Sequence, residues 1–448
     1  MSRTLKTAII GAGASGIATA YYLKKAGYQD ITLFEQSDRI GGKCLTFEAD
    51  GKHFDLGANY ITPYYDEVLS IANSLGLKTK PAPMRKSFDL TTANYLNTLR
   101  TTLMGKSYLS FGAASAKYLY LTWKYRKKIA EPGFAQLEAC EELCHPFGKW
   151  LDINGMSILR QLFLIPVTIF GYGPLDEVPT PYVLKYMDFK NFILLARVGA
   201  GLSKDWPRHF EDGYQGFLNA IIEQQSLDVR LNSQIVLIKR SPNVQIGLAD
   251  GSLHEFDRVV FACPFEKLLP VLADATKEEK ALFPKIKYRN YFVTACDVEG
   301  MLNITTDEIQ LPPAEPLPAI GHPWGVVKFW KDSDINLFFS VTEKPAHEKE
   351  VCECKPSDSK DPITAGMVIE KIQEDVKRMG GDYQSMVKQQ HWKTFFPHVE
   401  AADLINGFYT RFENHQGVLN TYYVGGAVAL ELVEPIFNYS KSLVNKHF

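Results

Sequence analysis

Two short apolar runs flank one longer helical stretch within the first 35 residues of the chain. Residues 7–10 and residues 31–35 are apolar and β-prone, which predicts two buried strands. Residues 17–26 between them are helical in character, and Gly27 follows as a typical helix stop. The pattern therefore predicts a strand, a helix and a second strand at the start of the fold.

Helical and strand periodicities alternate over the middle of the chain. Apolar residues spaced three and four apart predict a helix over residues 65–76. Aromatic, apolar segments broken by prolines predict a mainly helical inserted region over residues 81–205. Two-residue alternation within residues 285–342 predicts the strands of a second sheet. A charged, proline-rich loop is predicted over residues 342–362, and an amphipathic helix over residues 362–380.

Strands return near residue 230 and again towards the end of the sequence. Residues 229–238 predict a pair of strands, and residues 258–263 predict a buried strand. Residues 420–424 predict a further strand that runs into a glycine turn, and a last helix is predicted over about residues 437–448.

The composition is that of a large globular protein of ordinary polarity. Its 448 residues are 46% hydrophobic and 22% charged, which allows a substantial core and predicts about two or three domains. The net charge of −2 lacks the basic excess that nucleic-acid-binding proteins carry. A small-molecule partner is therefore expected, and a nucleic acid is not.

The cysteines and the apolar runs bear on metal binding and location. Seven cysteines at scattered spacings predict free thiols in a reducing compartment. Cys140 with Cys144, and Cys352 with Cys354, lack the second pair that a zinc site needs, so no metal is predicted. The uncharged run over residues 161–175 is shorter than the roughly 18 apolar residues of a membrane span. With no recognisable signal peptide, the expected location is cytoplasmic.

A glycine-rich turn, Gly-Ala-Gly-Ala-Ser-Gly, joins the first predicted strand to the first predicted helix. In this context Gly11 is expected to make the tight turn, Gly13 to let the backbone approach a pyrophosphate, and Gly16 to let helix and strand pack closely. The backbone N–H groups at the helix start, at Ala14 and Ser15, are expected to bind the phosphates. The spacing therefore predicts a dinucleotide site.

Glu35 ends the second predicted strand, with Gln36 beside it. A carboxylate at this place can accept hydrogen bonds from a ribose diol, and it disfavours a 2′-phosphate. Both residues are therefore expected to contact the nucleotide, and NADP is not the expected cofactor.

A second glycine segment narrows the identity of the nucleotide. Residues 38–44 read Asp-Arg-Ile-Gly-Gly-Lys-Cys, and residues 54–59 read Phe-Asp-Leu-Gly-Ala-Asn. Here the chain resembles the flavoprotein superfamily of amine oxidases, phytoene desaturases and their relatives. The resemblance implies FAD as the cofactor. It implies that the following residues lie along the pyrophosphate, the ribitol and the flavin ring: Gly41, Gly42, Lys43, Gly57, Ala58 and Asn59.

The resemblance extends to two further places. It implies that Ile235 contacts the adenine, although a β-branched core residue explains this position equally well. It also implies that Gly425 and Gly426 lie near the flavin. Gly426 stands where the superfamily has an acid, which removes one expected hydrogen bond to the cofactor.

The implied fold class is α/β. It combines a Rossmann-type FAD-binding domain, of the glutathione-reductase-like and amine-oxidase-like kind, with an α+β substrate-binding domain and a helical insert. The FAD-binding domain is expected to comprise residues 1–80, 206–265 and 400–448. Residues 81–205 are expected to form a mainly helical substrate or lid region, and residues 266–399 the substrate-binding sheet and helix.

Other segments resemble the flavin-dependent polyunsaturated fatty acid isomerases. They lie at residues 170–173, 182–189, 396–399 and 439–444, and the likeness runs in order from about residue 6 onwards. The resemblance implies that a hydride leaves a bis-allylic carbon for the flavin and returns two carbons away, with no net oxidation. It implies a free polyunsaturated fatty acid as the substrate and assigns no catalytic side chain.

The same resemblance implies the contacts of the fatty acid. Aromatic residues are expected to line its pocket, namely Phe170, Tyr172 and Tyr186. Arg85 and Lys86 are expected to hold the carboxylate, with a solvated basic pair as the alternative. Leu195 stands where the family has an aromatic gate, which puts that gate in doubt.

Three other functions stay open. A flavin amine oxidase usually has a lysine in the substrate sheet, and residues 287–294 show aromatics where it would fall. A desaturase or other lipid oxidoreductase would pass electrons to an acceptor. A flavoprotein without catalysis would only bind a lipid. Oxygen consumption with amines, or bleaching of the flavin by lipid without oxygen, would separate these functions.

Residues 117–128 are basic and aromatic. They fit a transient contact with a membrane surface. The simpler interpretation, which we favour at this point, is a helix whose last turn carries cations against its dipole. The oligomeric state stays open.

Overall fold

The computed structural model describes most of the chain. The described residues are 4–81, 85–89, 94–96, 107–199, 202, 208–301, 305–310, 321–342 and 364–448. In residues 85–89, 94–96 and 305–310 the backbone alone is described. The loop predicted over residues 342–362, with Cys352 and Cys354, lies outside the described residues except for Thr342.

A five-stranded parallel sheet forms one half of the fold. Its strands, in spatial order, are Thr421–Tyr423, Arg258–Phe261, Thr7–Ile10, Ile31–Phe34 and Asp228–Arg230. Four of these strands, including the two predicted first, are buried along their whole length. Parallel strands buried on both faces read as continuous apolar runs, which explains why the sequence pattern located them.

Three helices pack together beside the parallel sheet, namely Ala14–Lys25, Gly213–Gln225 and Val433–His447. The first of them approaches its strand closely, because a Cβ on Gly16 would lie 2.0 Å from the carbonyl oxygen of Gly11. The last begins at Val433, earlier than predicted. Its Pro435 lies in the first turn, where a missing N–H breaks no helical hydrogen bond.

A seven-stranded mixed sheet forms the other half of the fold. Its strands, in spatial order, are Asp382–His398, Lys287–Glu299, Ile335–Val341, Pro323–Val327, Thr305–Gln310, Arg85–Asp89 and Asn94–Leu96. Neighbouring strands are antiparallel except for Thr305–Gln310 and Arg85–Asp89, which run parallel. The strands at residues 85–96 were not expected, because they fall in the region that the sequence predicts to be mainly helical.

Alternating side chains give the seven-stranded sheet two differently covered faces. On the strand Lys287–Glu299, Phe292 and Cys296 pack against the helix Ala365–Arg378, the amphipathic helix that the sequence predicts. Tyr291, one position along, joins the apolar cluster on the opposite face. That opposite face lines the cavity described below.

The predicted strand pair at residues 229–238 is divided between two sheets. Asp228–Arg230 is the edge strand of the parallel sheet. Ile235–Lys239 begins a separate antiparallel sheet, whose other strands are Val244–Leu248 and Leu253–Phe256.

The helices of the helical region pack around buried aromatic rings. Its helices are Tyr108–Lys124, Arg126–Ala130, Phe147–Ile153, Arg160–Phe163, Thr180–Tyr186 and Phe189–Gly199, with a π-helical turn at Leu164–Ile169. The ring of Tyr118 lies at its centre and packs against Trp150, Phe163 and Phe192.

The remaining elements connect these parts. The strands Thr46–Ala49 and Lys52–Asp55 form a hairpin, and Thr79–Pro81 pairs with Arg208–Phe210. The other α-helices are Asp66–Ser74, Lys277–Leu282, Ala401–Ile405, Phe408–Asn414 and Gly426–Ala429. Short 3-10 turns occur at Leu137–Ala139, Glu141–Cys144, Ser157–Leu159, Phe265–Lys267, Phe283–Lys285 and Val418–Asn420. Within the described segments, no helix has both the length and the apolar character that crossing a lipid bilayer requires.

Candidate active site

One large cavity is lined by residues of both main sheets and of the helical region. Its volume of about 540 Å³ lies within the roughly 300–1,000 Å³ range of small-molecule and cofactor sites. The lining includes Ile10 and Phe34 from the parallel sheet, and Tyr291 and Phe339 from the seven-stranded sheet. A ligand bound here would therefore contact both halves of the protein.

The glycine turn at the start of the chain forms one part of the lining. Gly11 has a positive φ of 107°, and a Cβ there would lie 2.7 Å from the carbonyl oxygen of Ala262. Gly13 has no such constraint, since the nearest atom to a Cβ there would be the Cα of Gly42 at 3.7 Å. The packing of the protein itself therefore does not require glycine at Gly13. The absence of a side chain keeps open the part of the cavity that Gly13 lines.

The helix Ala14–Lys25 begins at this cavity. Gly13 is its N-cap, and no side chain caps the helix start. The first N–H groups of a helix carry partial positive charge and bind anions. Since Gly13, Ala14 and Ser15 all line the cavity, this end of it suits a phosphate.

Glu35 lines the cavity next to the glycine turn. Its carboxylate accepts hydrogen bonds from the backbone N–H of Ala12 at 2.9 Å, from the N–H of Ser37 at 3.0 Å and from the Ser37 hydroxyl at 2.8 Å. Only 8% of the residue is exposed. These bonds fix the carboxylate at the end of its strand, where the sequence predicts a contact with ribose.

The second glycine segment crosses close to the first. The backbone N–H of Gly41 donates to the carbonyl oxygen of Ala12 at 2.8 Å. A Cβ on Gly41 would lie 2.4 Å from the carbonyl oxygen of Cys44, and a Cβ on Gly57 would lie 1.8 Å from that of Lys43. The glycines therefore permit two close backbone crossings on the floor of the cavity.

A partly buried ion pair lies beside these crossings. The ammonium group of Lys43 contacts the carboxylate of Glu431 and also donates to the carbonyl oxygen of Thr394. The other oxygen of Glu431 accepts from the N–H of Phe396, whose φ is +46°. The pKa of the Glu431 carboxyl is raised, because the effect of burial exceeds the opposing effect of the Lys43 charge. The pair thereby holds the segment that carries Phe395 and Pro397 into the lining.

The wall formed by the seven-stranded sheet and the helical region is aromatic. The ring of Tyr291 stacks on that of Phe395 at 4.9 Å, and Phe395 stacks on Tyr172 at 6.1 Å. Tyr172 packs in turn against Tyr186 at 5.6 Å. We call this side of the cavity the aromatic wall, and its members are Tyr60, Phe170, Tyr172, Tyr186, Tyr291, Phe339, Trp392 and Phe395.

The aromatic wall is uncharged at physiological pH. Burial raises the pKa of Tyr172 and of Tyr291 well above the ordinary value. Both hydroxyls therefore stay protonated. This wall offers a large apolar surface and no ready acid or base.

His398 is not a base for chemistry in this cavity. It lies beyond Pro397, and Pro397 is the residue of the two that lines the cavity. Burial lowers the pKa of its imidazole to about 4, so the ring is neutral, and Nδ1 lies 2.8 Å from the carbonyl oxygen of Phe396. That geometry makes Nδ1–H a donor to the backbone.

The structure brings most of the predicted site residues together. Those that line this cavity are Gly11, Gly13, Ala14, Ser15, Glu35, Gln36, Gly41, Gly42, Lys43, Gly57, Ala58, Asn59, Phe170, Tyr172, Tyr186, Ile235, Gly425 and Gly426. Gly16 lies behind the turn and packs the helix on the strand. Arg85 and Lys86 begin a strand whose backbone alone is described.

Leu195 is not among the described residues that line the cavity. It lies on the helix Phe189–Gly199, half-buried against the main core. Four aromatic side chains of the wall come from the seven-stranded sheet, namely Tyr291, Phe339, Trp392 and Phe395. A gate at Leu195 is therefore not supported by its position.

Several lining residues were missed by the sequence analysis, above all Glu431, Tyr291, Phe339, Trp392 and Phe395. Tyr291 and Phe339 lie in predicted strands, and their alternation could have assigned them to one face. Glu431 has no such pattern around it. Its role depends on Lys43, far away in the sequence, which no local periodicity can reveal.

Comparisons with known proteins agree with this geometry. A family model described as flavin-containing amine oxidoreductase matches residues 14–402. The crystal structure of a fatty acid isomerase from P. acnes that produces CLA is 28% identical, with a TM-score of 0.85 over 100% of both chains. The polyenoic fatty acid isomerase of Ptilota filicina is 21% identical over 198 residues, which is 40% of either chain.

Some curated relatives match over a shorter length. Protoporphyrinogen oxidase 2 of Arabidopsis thaliana is 43% identical over 75 residues. That match spans 17% of this chain and 15% of the relative. This chain therefore covers well under two thirds of the length of such relatives.

Proposed function

The chain belongs to the family of flavin-containing amine oxidoreductases, and we propose that within this family it is an FAD-dependent double-bond isomerase of polyunsaturated fatty acids. The observation that carries the proposal is the aromatic wall, a large uncharged surface that lines the same cavity as the glycine segments. The full-length similarity to the P. acnes isomerase supports it.

The residues of the cavity fit FAD. In this proposal the open space at Gly13 and the uncapped helix start hold the pyrophosphate. The carboxylate of Glu35, fixed by three hydrogen bonds, accepts from the ribose. Gly57 and Ala58 line the part of the cavity that the flavin ring takes in this proposal, and Ile235 lies against the adenine.

FAD, when bound, supplies reversible hydride acceptance, which lets a double bond move along an acyl chain with no net oxidation. The protein holds the substrate in place and keeps water out of the cavity. The rings of Tyr172, Phe395 and Tyr291 stack into a rigid surface that can hold a pentadiene in one orientation. The hydroxyls of Tyr172 and Tyr291 are neutral and do not act as a competing base, and the apolar wall excludes water.

An amine oxidase is the second candidate, because the family includes such enzymes. The aromatic wall does not include the lysine that amine oxidases usually carry in the substrate sheet. Among the described lining residues the lysines are Lys43 and Lys267. Lys43 is committed to Glu431, and Lys267 follows the parallel-sheet strand Arg258–Phe261. The aromatic wall therefore favours a lipid substrate over an amine.

Incubation of the FAD-loaded enzyme with linoleic acid under strict anaerobiosis tests the proposal. We expect ultraviolet absorption of a conjugated diene to appear over many turnovers, because isomerisation needs no electron acceptor. Putrescine and benzylamine in air are the parallel samples. If the amines yield hydrogen peroxide and the lipid yields no diene, the proposal is wrong and the protein is an amine oxidase.

A further inference from the structure

The helix Tyr108–Lys124 presents large apolar side chains to solvent on one face. Tyr108 is 75% exposed, Leu109 87%, Tyr120 59% and Trp123 52%. Leu109, Tyr120 and Trp123 follow the helical repeat, so they form one stripe along the helix. Soluble proteins seldom expose so many large apolar residues together without a partner.

The opposite face of the same helix is fully used by the core. Ala114, Tyr118, Leu121 and Thr122 are buried. The hydroxyl of Tyr118 donates to the carbonyl oxygen of Met187 at 2.6 Å. The helix therefore packs on the core through one face, and the exposed stripe is a second apolar face on its other side.

Cations surround the exposed stripe. The helix and the short helix after it carry Lys117, Lys124, Arg126, Lys127 and Lys128. Over residues 90–130 the sequence contains no Asp or Glu. Lys124 has an ion pair with Glu142 at 3.1 Å, so part of its charge is balanced. The segment as a whole is nevertheless strongly basic.

The aromatic residues of the stripe are ordered against each other and against a cation. Tyr120 and Trp123 stack at 6.3 Å. The guanidinium of Arg126 lies over the Trp123 ring at 4.2 Å and donates to its carbonyl oxygen at 2.7 Å. Apolar and aromatic side chains flanked by cations are the composition of helices that lie in a membrane interface.

We propose that this helix is a docking surface for an anionic lipid bilayer. The stripe enters the interface, and Lys117, Arg126 and Lys127 lie at the level of the anionic headgroups. A second copy of the chain suits this surface poorly. A two-fold contact would bring the same cations face to face with no acidic residues of the helix to balance them.

The surface is one layer of side chains away from the cavity. Tyr118, on the inner face of the helix, is bonded to Met187, and the neighbouring Tyr186 lines the aromatic wall. If the proposed isomerase activity holds, this placement would bring the cavity close to the phase in which fatty acids dissolve. The membrane contact itself does not depend on that activity.

Flotation of the FAD-loaded protein with vesicles tests the proposal. We expect binding to vesicles of phosphatidylglycerol and phosphatidylcholine, weak binding to phosphatidylcholine alone, and release by high salt. The variant Lys117→Glu/Lys127→Glu is expected to bind the anionic vesicles at least about 30-fold less tightly, since each cation near the surface adds to the attraction. Tyr120→Ser/Trp123→Ser is expected to lose binding even at low salt.

The control variant is Leu253→Ser/Lys239→Glu. It changes an exposed apolar residue and an exposed cation in the separate antiparallel sheet, away from the helix. It is expected to bind as the wild type does. No binding by the wild type, or equal binding by all variants, would overturn the proposal. The proposal would also be overturned if the wild type does not bind vesicles but sediments as a dimer, and if Tyr120→Ser/Trp123→Ser converts that dimer to a monomer. Retained flavin and an unchanged melting temperature show that each variant is folded, and no fatty acid is needed.

Discussion

Glu35 shows at the scale of one residue how a fold positions a cofactor contact. Its carboxylate is held by two backbone N–H groups and one hydroxyl, and it still lines the cavity. Glu35→Ala is expected to weaken FAD binding by about 10- to 100-fold, because a charge-assisted hydrogen bond is worth roughly 1.5–3 kcal/mol. Titration of apoprotein with FAD measures this. The exposed Glu48→Ala is the control, and equal affinities for both variants would remove Glu35 from the site.

The proposed carboxylate anchor is tested by Arg85→Ala and Lys86→Ala. The two residues begin the strand Arg85–Asp89. Either variant is expected to raise KM for linoleic acid by about 10- to 100-fold with little change in kcat, because the contact with the carboxylate is made equally in the ground state and the transition state. Lys78→Ala, at an exposed lysine, is the control. Unchanged KM in both variants would place the carboxylate elsewhere.

Asp55 makes the stability of the protein depend on pH. Burial raises the pKa of its carboxyl to about 7, although Thr46 and the N–H of Tyr214 donate hydrogen bonds to it. The folded protein therefore keeps a proton that the unfolded chain releases above about pH 4, and stability falls as the pH rises from about 4 to about 7.

Asp55→Asn is expected to remove this fall. Relative to the wild type, the variant should gain on the order of 3 kcal/mol between pH 5 and pH 8, since the amide can still accept both bonds and never ionises. Thermal unfolding at the two pH values measures the difference, with the exposed Asp30→Asn as the control. A variant whose curve runs parallel to that of the wild type would contradict this account.

At the scale of elements, the loop Phe170–Gly173 shows how the aromatic wall is assembled. Gly171 has a φ of 82°, and a Cβ there would lie 2.7 Å from the ring of Tyr291 and 3.0 Å from that of Phe395. The loop can therefore lie on the sheet only because this residue has no side chain.

Gly171→Ala is expected to lower stability by about 2–4 kcal/mol, from the positive φ together with displacement of the two rings. Gly155→Ala is the matched control, since Gly155 also has a positive φ of 66° and no atom within 4 Å of a Cβ. It should cost only about 1–2 kcal/mol. Urea unfolding compares the two variants, and equal losses would mean that the loop does not press on the wall.

The strand Asp382–His398 marks what the local pattern could not predict. Its first part, residues 382–390, is mostly polar, and most of residues 382–388 are exposed, because the strand lies at the edge of the sheet with one neighbour. No apolar alternation therefore identifies residues 382–390. Yet its end carries Trp392 and Phe395 into the cavity. By contrast, the buried parallel strands are continuous apolar runs and were found from the sequence.

At the scale of the whole molecule, the predicted fold class, the family resemblance and FAD as the cofactor are confirmed by the family match and by the structural likeness. Glycines in a fixed spacing allowed this, because their backbone requirements are local. The domain bounds and the roles of the individual site residues stay predictions. The Lys43–Glu431 pair and the aromatic wall join distant segments, so only the folded chain could reveal them.

The central claim is that the double bond moves by transfer of one hydrogen within a single substrate molecule. The most direct test uses linoleic acid carrying deuterium at the bis-allylic carbon, without oxygen, with the product analysed by mass spectrometry and NMR. We expect a conjugated product that keeps the deuterium at a new carbon. Complete loss of the label to water, or formation of product only when an electron acceptor is added, would contradict the account.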